Sequence, residues 1–215
     1  MDEQGKLSPL TPAFTFVAFG FSRPAAALRR RLALFAALLA AWGGVCHSAA
    51  AQQPKPEEYQ VKAVYLYNFG RFVEWPANLP PQETFDICVM GRDPFGSFLD
   101  ATLAGESINS RKLAAKRIGS GRDAANCKIL FISASENGRI KDILAAVEKT
   151  AVLTVSDMPG FTSNGGMIQF VLRDNKVRFE VNLTATDKAG LTLSSQLLKV
   201  ATDVRKESSG ETVKP

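Results

Sequence analysis

The side chains that could do chemistry are few, and their spacing argues against catalysis. The chain carries one histidine, His47, and three cysteines, Cys46, Cys88 and Cys127. His47 and Cys46 fall in a leader expected to be removed. What remains can build neither a Ser-His-Asp nor a Cys-His arrangement, nor a zinc set of the usual His/Cys kind. Neither G-x-x-x-x-G-K-[ST] nor G-x-G-x-x-G occurs. A pair of carboxylates could still support glycosidase-type proton transfer, but no two acids stand out from solvated surface charge. Cys88 and Cys127 form an even pair. In an oxidising compartment such a pair reads as a disulfide, with two buried free thiols as the alternative. Closing that loop would stabilise the fold by ~4 kcal/mol in the chain-entropy model. The expectation is a protein without catalytic residues, metal or cofactor, working by binding.

Residues suited to binding cluster in three places. "KAVYLYNFGRFVEWP", Lys62 to Pro76, holds five aromatics, with Asn68 among them. Asn68 reads either as a core amide capping backbone groups or as a ligand contact, since a bare buried amide is costly. "SDMPGFTSNGGM", Ser156 to Met167, has Gly160, Gly165 and Gly166, which permit positive φ and close backbone approach. Phe161 between them is expected to be partly exposed. The segment reads as a partner- or ligand-contacting loop or as a plain glycine-rich connection. Finally, alternation along "VRFEVNL" puts Arg178, Glu180 and Asn182 in one row, either a contact surface or a solvated strand face.

The compartment follows from the N-terminus. Arg29, Arg30 and Arg31 precede an uncharged run of eleven residues, Leu32 to Trp42, and Ala49-x-Ala51 supplies a cleavage site. This is the pattern of a secretory signal over residues 1–51, with a signal anchor as the rival. The run is shorter than the roughly 20 apolar residues of a membrane span. The 28 residues ahead of the arginines are long for the basic region of a signal. Cys46 follows Val45, a poor lipidation context. Removing the leader leaves 21 basic against 19 acidic side chains, so the net charge falls from +5 to +2. A nucleic-acid role thereby loses its main support. Periplasmic export is the expectation.

The elements that must position these residues read as one domain. Residues 52–57 are a polar lead. From there the period of 3.6 predicts a helix with Val61, Val64, Tyr65, Leu66, Phe69, Phe72, Val73 and Trp75 in an apolar arc of roughly 200°, ended by Pro76. "TFDICVMG", "CKILFISA" and "AVLTVSD" read as buried strands and "RKLAAKRI" as a weaker one. Asp93 is the expected N-cap of a helix with Pro94 at its first position. Ile140, Ile143, Leu144 and Val147 form a helical stripe. "GGMIQFVLRDNKVRFEVNL" predicts a hairpin about Asp174-Asn175, pairing Leu172 with Val177, Phe170 with Phe179 and Ile168 with Val181. A last helix is expected with Leu193, Leu197, Val200 and Val204 buried. The fold class is α/β: a mixed, largely parallel sheet flanked by helices, with a C-terminal β-hairpin and helix, over residues 58–204, before a disordered tail at 205–215.

Three stretches, "VKAVYLYNFGRFVEWP", "LTVSDMPGFTSNGGMIQF" and "VRFEVNLTATDKAGLTLSSQLLKVA", together resemble the YfiR-type periplasmic repressors, over about Glu58 to Val204. The resemblance implies a soluble α/β protein that binds and silences the periplasmic part of a membrane diguanylate cyclase (YfiN-type). That would lower cyclic di-GMP and biofilm formation. It further implies sequestration by an OmpA-like outer-membrane lipoprotein (YfiB-type), homodimerisation, and a Cys88–Cys127 disulfide to which repression is sensitive. The residues expected to make partner contacts are Tyr67, Arg71 and Trp75 of the helix, Phe161 of the loop, and Arg178 and Glu180 of the hairpin. A periplasmic small-molecule sensor, binding through the Gly160–Gly166 loop and the Arg178 face, is the alternative.

Overall fold

A computed structural model describes residues 56–78 and 82–206. The expectations for the leader at 1–51, most of the polar lead at 52–57 and most of the tail at 205–215 lie outside the described residues. Helix α1 (Pro56–Phe72) opens with Glu57 and Glu58 and closes with Arg71, charges that complement the helix dipole. It ends earlier than Pro76 suggested. Val73–Glu74 leave it as a short strand, β1, that pairs with Thr192–Leu193, β9.

The remaining strands form one sheet. In chain order they are β2 (Thr84–Met90), β3 (Ser107–Ile108), β4 (Arg111–Ile118), β5 (Ile129–Ile132), β6 (Leu153–Ser156), β7 (Ile168–Arg173), β8 (Lys176–Asn182) and β10 (Asp203–Arg205). Their spatial order is β10-β8-β7-β6-β5-β2-β4-β3. From β4 through β7 all neighbours run parallel. β5 and β6 are buried at every position, as expected of parallel strands covered on both faces. Helices α1 and α2 (Ser97–Leu103) cover one face, on Ile87, Val89, Ile129 and Phe131. α3 (Ile140–Val147) covers the other, on Cys88, Met90, Leu130 and Ile132.

The hairpin register is the predicted one: Ile168 pairs with Val181, Phe170 with Phe179 and Leu172 with Val177. Asp174 and Asn175 take φ of 50° and 56°, the left-handed pair of a type I′ turn. Phe170 and Phe179 then present their rings to α1. Phe69 stacks on Phe170 at 5.7 Å and meets Phe179 edge-on at 5.1 Å, while Tyr65 meets Phe179 at 5.6 Å. Much of the aromatic density in the opening helix is therefore core.

Its orientation differs from the predicted arc by about a quarter turn. The buried face is Tyr59, Lys62, Ala63, Leu66, Phe69 and, past the helix end, Val73, whereas Val61 and Val64 are 45% and 48% exposed. Small side chains decide this. A Cβ on Gly70 would stand 2.6 Å from Ile108 Cδ1 and 3.1 Å from the Phe85 ring, so the glycine lets the helix lie close against β3 and β2. Asp93 is also displaced from its expected role. Its Oδ1 accepts from Phe95 N and Gly96 N in a turn, and α2 begins only at Ser97.

The expected last helix is replaced by four short elements. α4 (Leu183–Lys188) stops at Gly190, whose φ is 71°, β9 follows, and Ser194 caps α5 (Ser195–Val200) before β10. Leu193 and Leu197 are buried as predicted, but Val200 and Val204 are 59% and 38% exposed. Arg205 closes β10 and does not begin a tail.

Candidate functional site

The predicted contact residues separate into two clusters on opposite faces of the sheet. Tyr67, Arg71 and Trp75 gather on the α1 face. The Tyr67 hydroxyl donates to Glu106 Oε2 at 2.7 Å, and the Arg71 guanidinium lies 5.8 Å from the Tyr67 ring centre. That hydrogen bond holds the Tyr67 phenol above its ordinary range. Trp75 packs edge-on against Phe85 at 5.2 Å, and its indole Nε1 is buried without an acceptor among the described residues. Arg71 and Trp75 line a cavity of about 660 Å³.

Asn68 is not the core amide capping backbone groups that was one of its two readings. It is half-buried and makes no side-chain hydrogen bond to the described residues. At 100° per residue it falls in line with Val61, Val64 and Arg71, opposite the buried face. This stripe, apolar at one end and cationic at the other, is the outward surface of α1.

Phe161, Glu180 and Asn182 belong to the other face, with Arg178 in register beside them. Phe161 was expected to be partly exposed; it is 1% exposed and sits in the α3-side core. Its ring occupies the space a side chain on Gly166 would need, so Gly166 serves close packing, while Gly160 and Gly165 take φ of 74° and 95°. The ring thus props the loop from inside and offers no contact surface.

Glu180, expected on a contact surface or a solvated strand face, is 8% exposed and lies between Arg173 at 3.4 Å and Arg205 at 3.7 Å. Arg178 alone of the three is exposed. Asn182 ties two elements together. Its Oδ1 accepts from Ala185 N at the start of α4, and its Nδ2 donates to Thr162 O of the loop at 3.0 Å. Thr162, Asn164, Asn182, Lys141 and Lys188 border a cavity of about 510 Å³, which Arg178 and Glu180 do not line.

Sequence reasoning missed a buried charged cluster at the carboxyl end of β6. The Lys62 ammonium, 3% exposed, meets Glu58 at 2.6 Å and Asp157 at 2.7 Å, and the Tyr59 hydroxyl donates to Asp157 at 2.8 Å. Other acids are similarly engaged. Lys116 meets Asp86 at 2.5 Å, Arg139 meets Glu136, and Arg117 holds Asp93 and Asp100 at 2.8 and 2.7 Å. The Arg117 hydrogen bond keeps the Asp100 carboxyl below its usual range. No group of three or more potential metal ligands occurs among the described residues. Cys88 on β2 and Cys127 just before β5 form a disulfide, with Cα atoms 5.9 Å apart.

A family model described as YfiR/HmsC-like matches residues 59–202, well over half of the chain. No curated protein matches. Among solved structures, a conserved domain protein from Vibrio cholerae O1 biovar El Tor is similar, with 11% identity, TM-score 0.48 and coverage of 68% of this chain and 60% of that one. The ABC domain in complex with L-Trp from Streptococcus pneumoniae has 9% identity and TM-score 0.46, with coverage of 69% and 60%. The chain thus spans about 60% of the length of these structures.

Proposed function

Because the chain belongs to the YfiR/HmsC-like family, we propose that it is a periplasmic regulator that binds and represses the periplasmic part of an inner-membrane diguanylate cyclase of the YfiN type. Repression lowers cyclic di-GMP and with it biofilm formation. An OmpA-like lipoprotein of the YfiB type, competing for the repressor, relieves it. The protein acts as a homodimer, delivered by cleavage of the leader at residues 1–51. A repressor of this kind shifts its target only by binding one conformation of it more tightly than another, so no catalytic group is required.

The observation that carries this reading is the outward stripe of α1. Val61 and Val64 stand 45% and 48% exposed, in line with Asn68 and Arg71, on a helix whose opposite face is fully engaged. Tyr67 and Trp75 flank the stripe, and Arg178 supplies a second exposed cation on the hairpin. The test is Val64→Glu, scored by intracellular cyclic di-GMP and by co-purification with the cyclase. Cyclic di-GMP should rise to the level of a deletion strain while the thermal midpoint holds. Full repression by the variant would remove α1 from the contact.

A second reading, a small-molecule sensor, rests on the cavity of about 510 Å³ under the Gly160–Gly166 loop. A thermal-shift panel of nucleotides, amino acids and vitamins distinguishes it. A ligand-induced rise that Asn182→Ala abolishes would favour the sensor.

A further inference from the structure

Among the described residues two lysines are almost fully buried, and they are treated in opposite ways. Lys62, 3% exposed, has carboxylates at 2.6 and 2.7 Å. Lys128, 4% exposed, has neither an ion-pair nor a side-chain hydrogen-bond partner among the described residues. Its ammonium is not among the fully buried atoms that lack a partner, so the side chain is packed along its stem and the charge opens onto free space. The neighbour that acts on it electrostatically, Arg111, is also a cation, and burial followed by that repulsion pulls the Lys128 ammonium below its ordinary pKa.

Lys128 is buried against a cavity. It precedes β5, and its side chain lines the space of about 660 Å³ shared with Arg71, Arg111, Asn109, Glu74 and Trp75. Arg71 and Arg111 form no salt bridge within the described residues. The buried Trp75 Nε1–H adds a donor that lacks an acceptor. The lining therefore holds three cations, an orphan N–H and one carboxylate, Glu74, which is exposed on the short strand β1. Phe85 and Ile108 give the same space an apolar wall.

We propose that this cavity is a binding site for a small-molecule oxyanion, a carboxylate or phosphate group seated between Lys128, Arg111 and the Trp75 indole N–H. Arg71, on α1, lines the same space. Such a group supplies the acceptors and the negative charge that Lys128, Arg111 and Trp75 lack, and hydrogen bonds between ionised partners are roughly twice as strong as neutral ones. Glu74 sets the size limit: an anion that spreads to β1 meets a like charge, so a compact head group is preferred. The site adjoins the cationic end of the outward stripe of α1 through Arg71, stands apart from the cavity under the glycine loop, and does not depend on the regulatory reading.

The test is calorimetric titration of the purified full chain with inorganic phosphate and, separately, with succinate, at constant ionic strength held by chloride. Saturable one-to-one binding of phosphate alone assigns a phosphate site, of succinate alone a carboxylate site, and of both an unselective oxyanion site. Lys128→Met and Arg111→Gln should each weaken that binding by about tenfold or more, the effect of losing one charge-assisted hydrogen bond. Arg111 is only half-buried, so its variant remains informative if the Lys128 variant misfolds. Absence of saturable binding of both probes to the unaltered protein overturns the proposal, as does binding by Arg111→Gln and Lys128→Met at unaltered affinity.

Discussion

Asp157, one residue beyond β6, holds the ammonium of Lys62 at 2.7 Å across 95 positions of sequence. The same carboxylate accepts from Tyr59, and Lys62 also reaches Glu58, so α1 is pinned to the end of the central strands by charge as well as by aromatic packing. Asp157→Ala strands the buried ammonium with Glu58 alone. We expect it to lower the free energy of unfolding by about 3 kcal/mol, the low end for breaking a buried pair. Lys62→Met removes the most deeply buried charge and should cost less, because the Asp157 and Glu58 carboxylates it leaves are 12% and 14% exposed and keep part of their hydration. Urea denaturation of the two variants checks the order; a larger loss for Lys62→Met would mean that repulsion between the two stranded carboxylates outweighs the relief of the ammonium.

The same cluster predicts an alkaline limit. Burial, then the Asp157 charge and hydrogen bond, hold the Tyr59 phenol well above the ordinary tyrosine range. Above about pH 10 the unfolded phenol releases its proton while the native one keeps it. The native state then binds more protons, so this contribution is complete below about pH 10 and is lost as pH rises toward the native value. Tyr59→Phe should show a shallower decline of stability from about pH 10 to 11 than the parent protein, in denaturation curves collected across that interval. Parallel declines would show that Tyr59 takes no part in it.

How much of this was readable in advance depends on the range of the interaction. The β7–β8 pairing was legible because alternation and the Asp174-Asn175 turn are local, and a slip of one residue would have inverted every face. The rotation of α1 was not. Hydropathy favours Val61 and Val64 as core, but Ala63 and Gly70 are small enough to touch the sheet, and Lys62 is buried because a residue 95 positions away neutralises it. Phe161 was misjudged for a related reason. Flanking glycines suggest an open loop, yet Gly166 vacates the space that the ring fills. The lone state of Lys128 could not be seen at all, since partners are absent or present only in three dimensions.

Reduction of Cys88–Cys127 is expected to destabilise the domain. The bond closes a 39-residue separation that contains α2, β3 and β4, the edge of the sheet next to β2. The chain-entropy model gives ~4 kcal/mol for a loop of this length. Melting with and without reductant, and of a Cys88→Ala/Cys127→Ala variant, should agree on a lower midpoint. Repression should weaken in proportion to the unfolded fraction. An unchanged midpoint would place the two cysteines outside the stability of the fold.

Asn182→Ala should cost about 1–2 kcal/mol, because it removes both the α4 cap and the tether to Thr162. Hydrogen exchange localises the effect. Protection should fall in the Gly160–Gly166 segment and the first turn of α4, and the β7–β8 ladder should be unaffected.

Phe161 and Val64 separate folding from binding. Phe161 is 1% exposed, so Phe161→Ala opens a cavity and should destabilise the protein by about 3–5 kcal/mol. Any loss of repression it causes would follow from unfolding and would be recovered at lower temperature. Val64, at 48% exposure, contributes little to the core, so Val64→Glu should leave the midpoint within about 0.5 kcal/mol of the parent while abolishing partner binding at every temperature. Arg178→Glu, on the opposite face, tests whether the hairpin shares that contact. If Val64→Glu and Arg178→Glu both release the partner, the partner must reach around the sheet or engage two copies of the chain, as a dimer would allow. If Val64→Glu alone does, α1 is the docking surface and the hairpin is not.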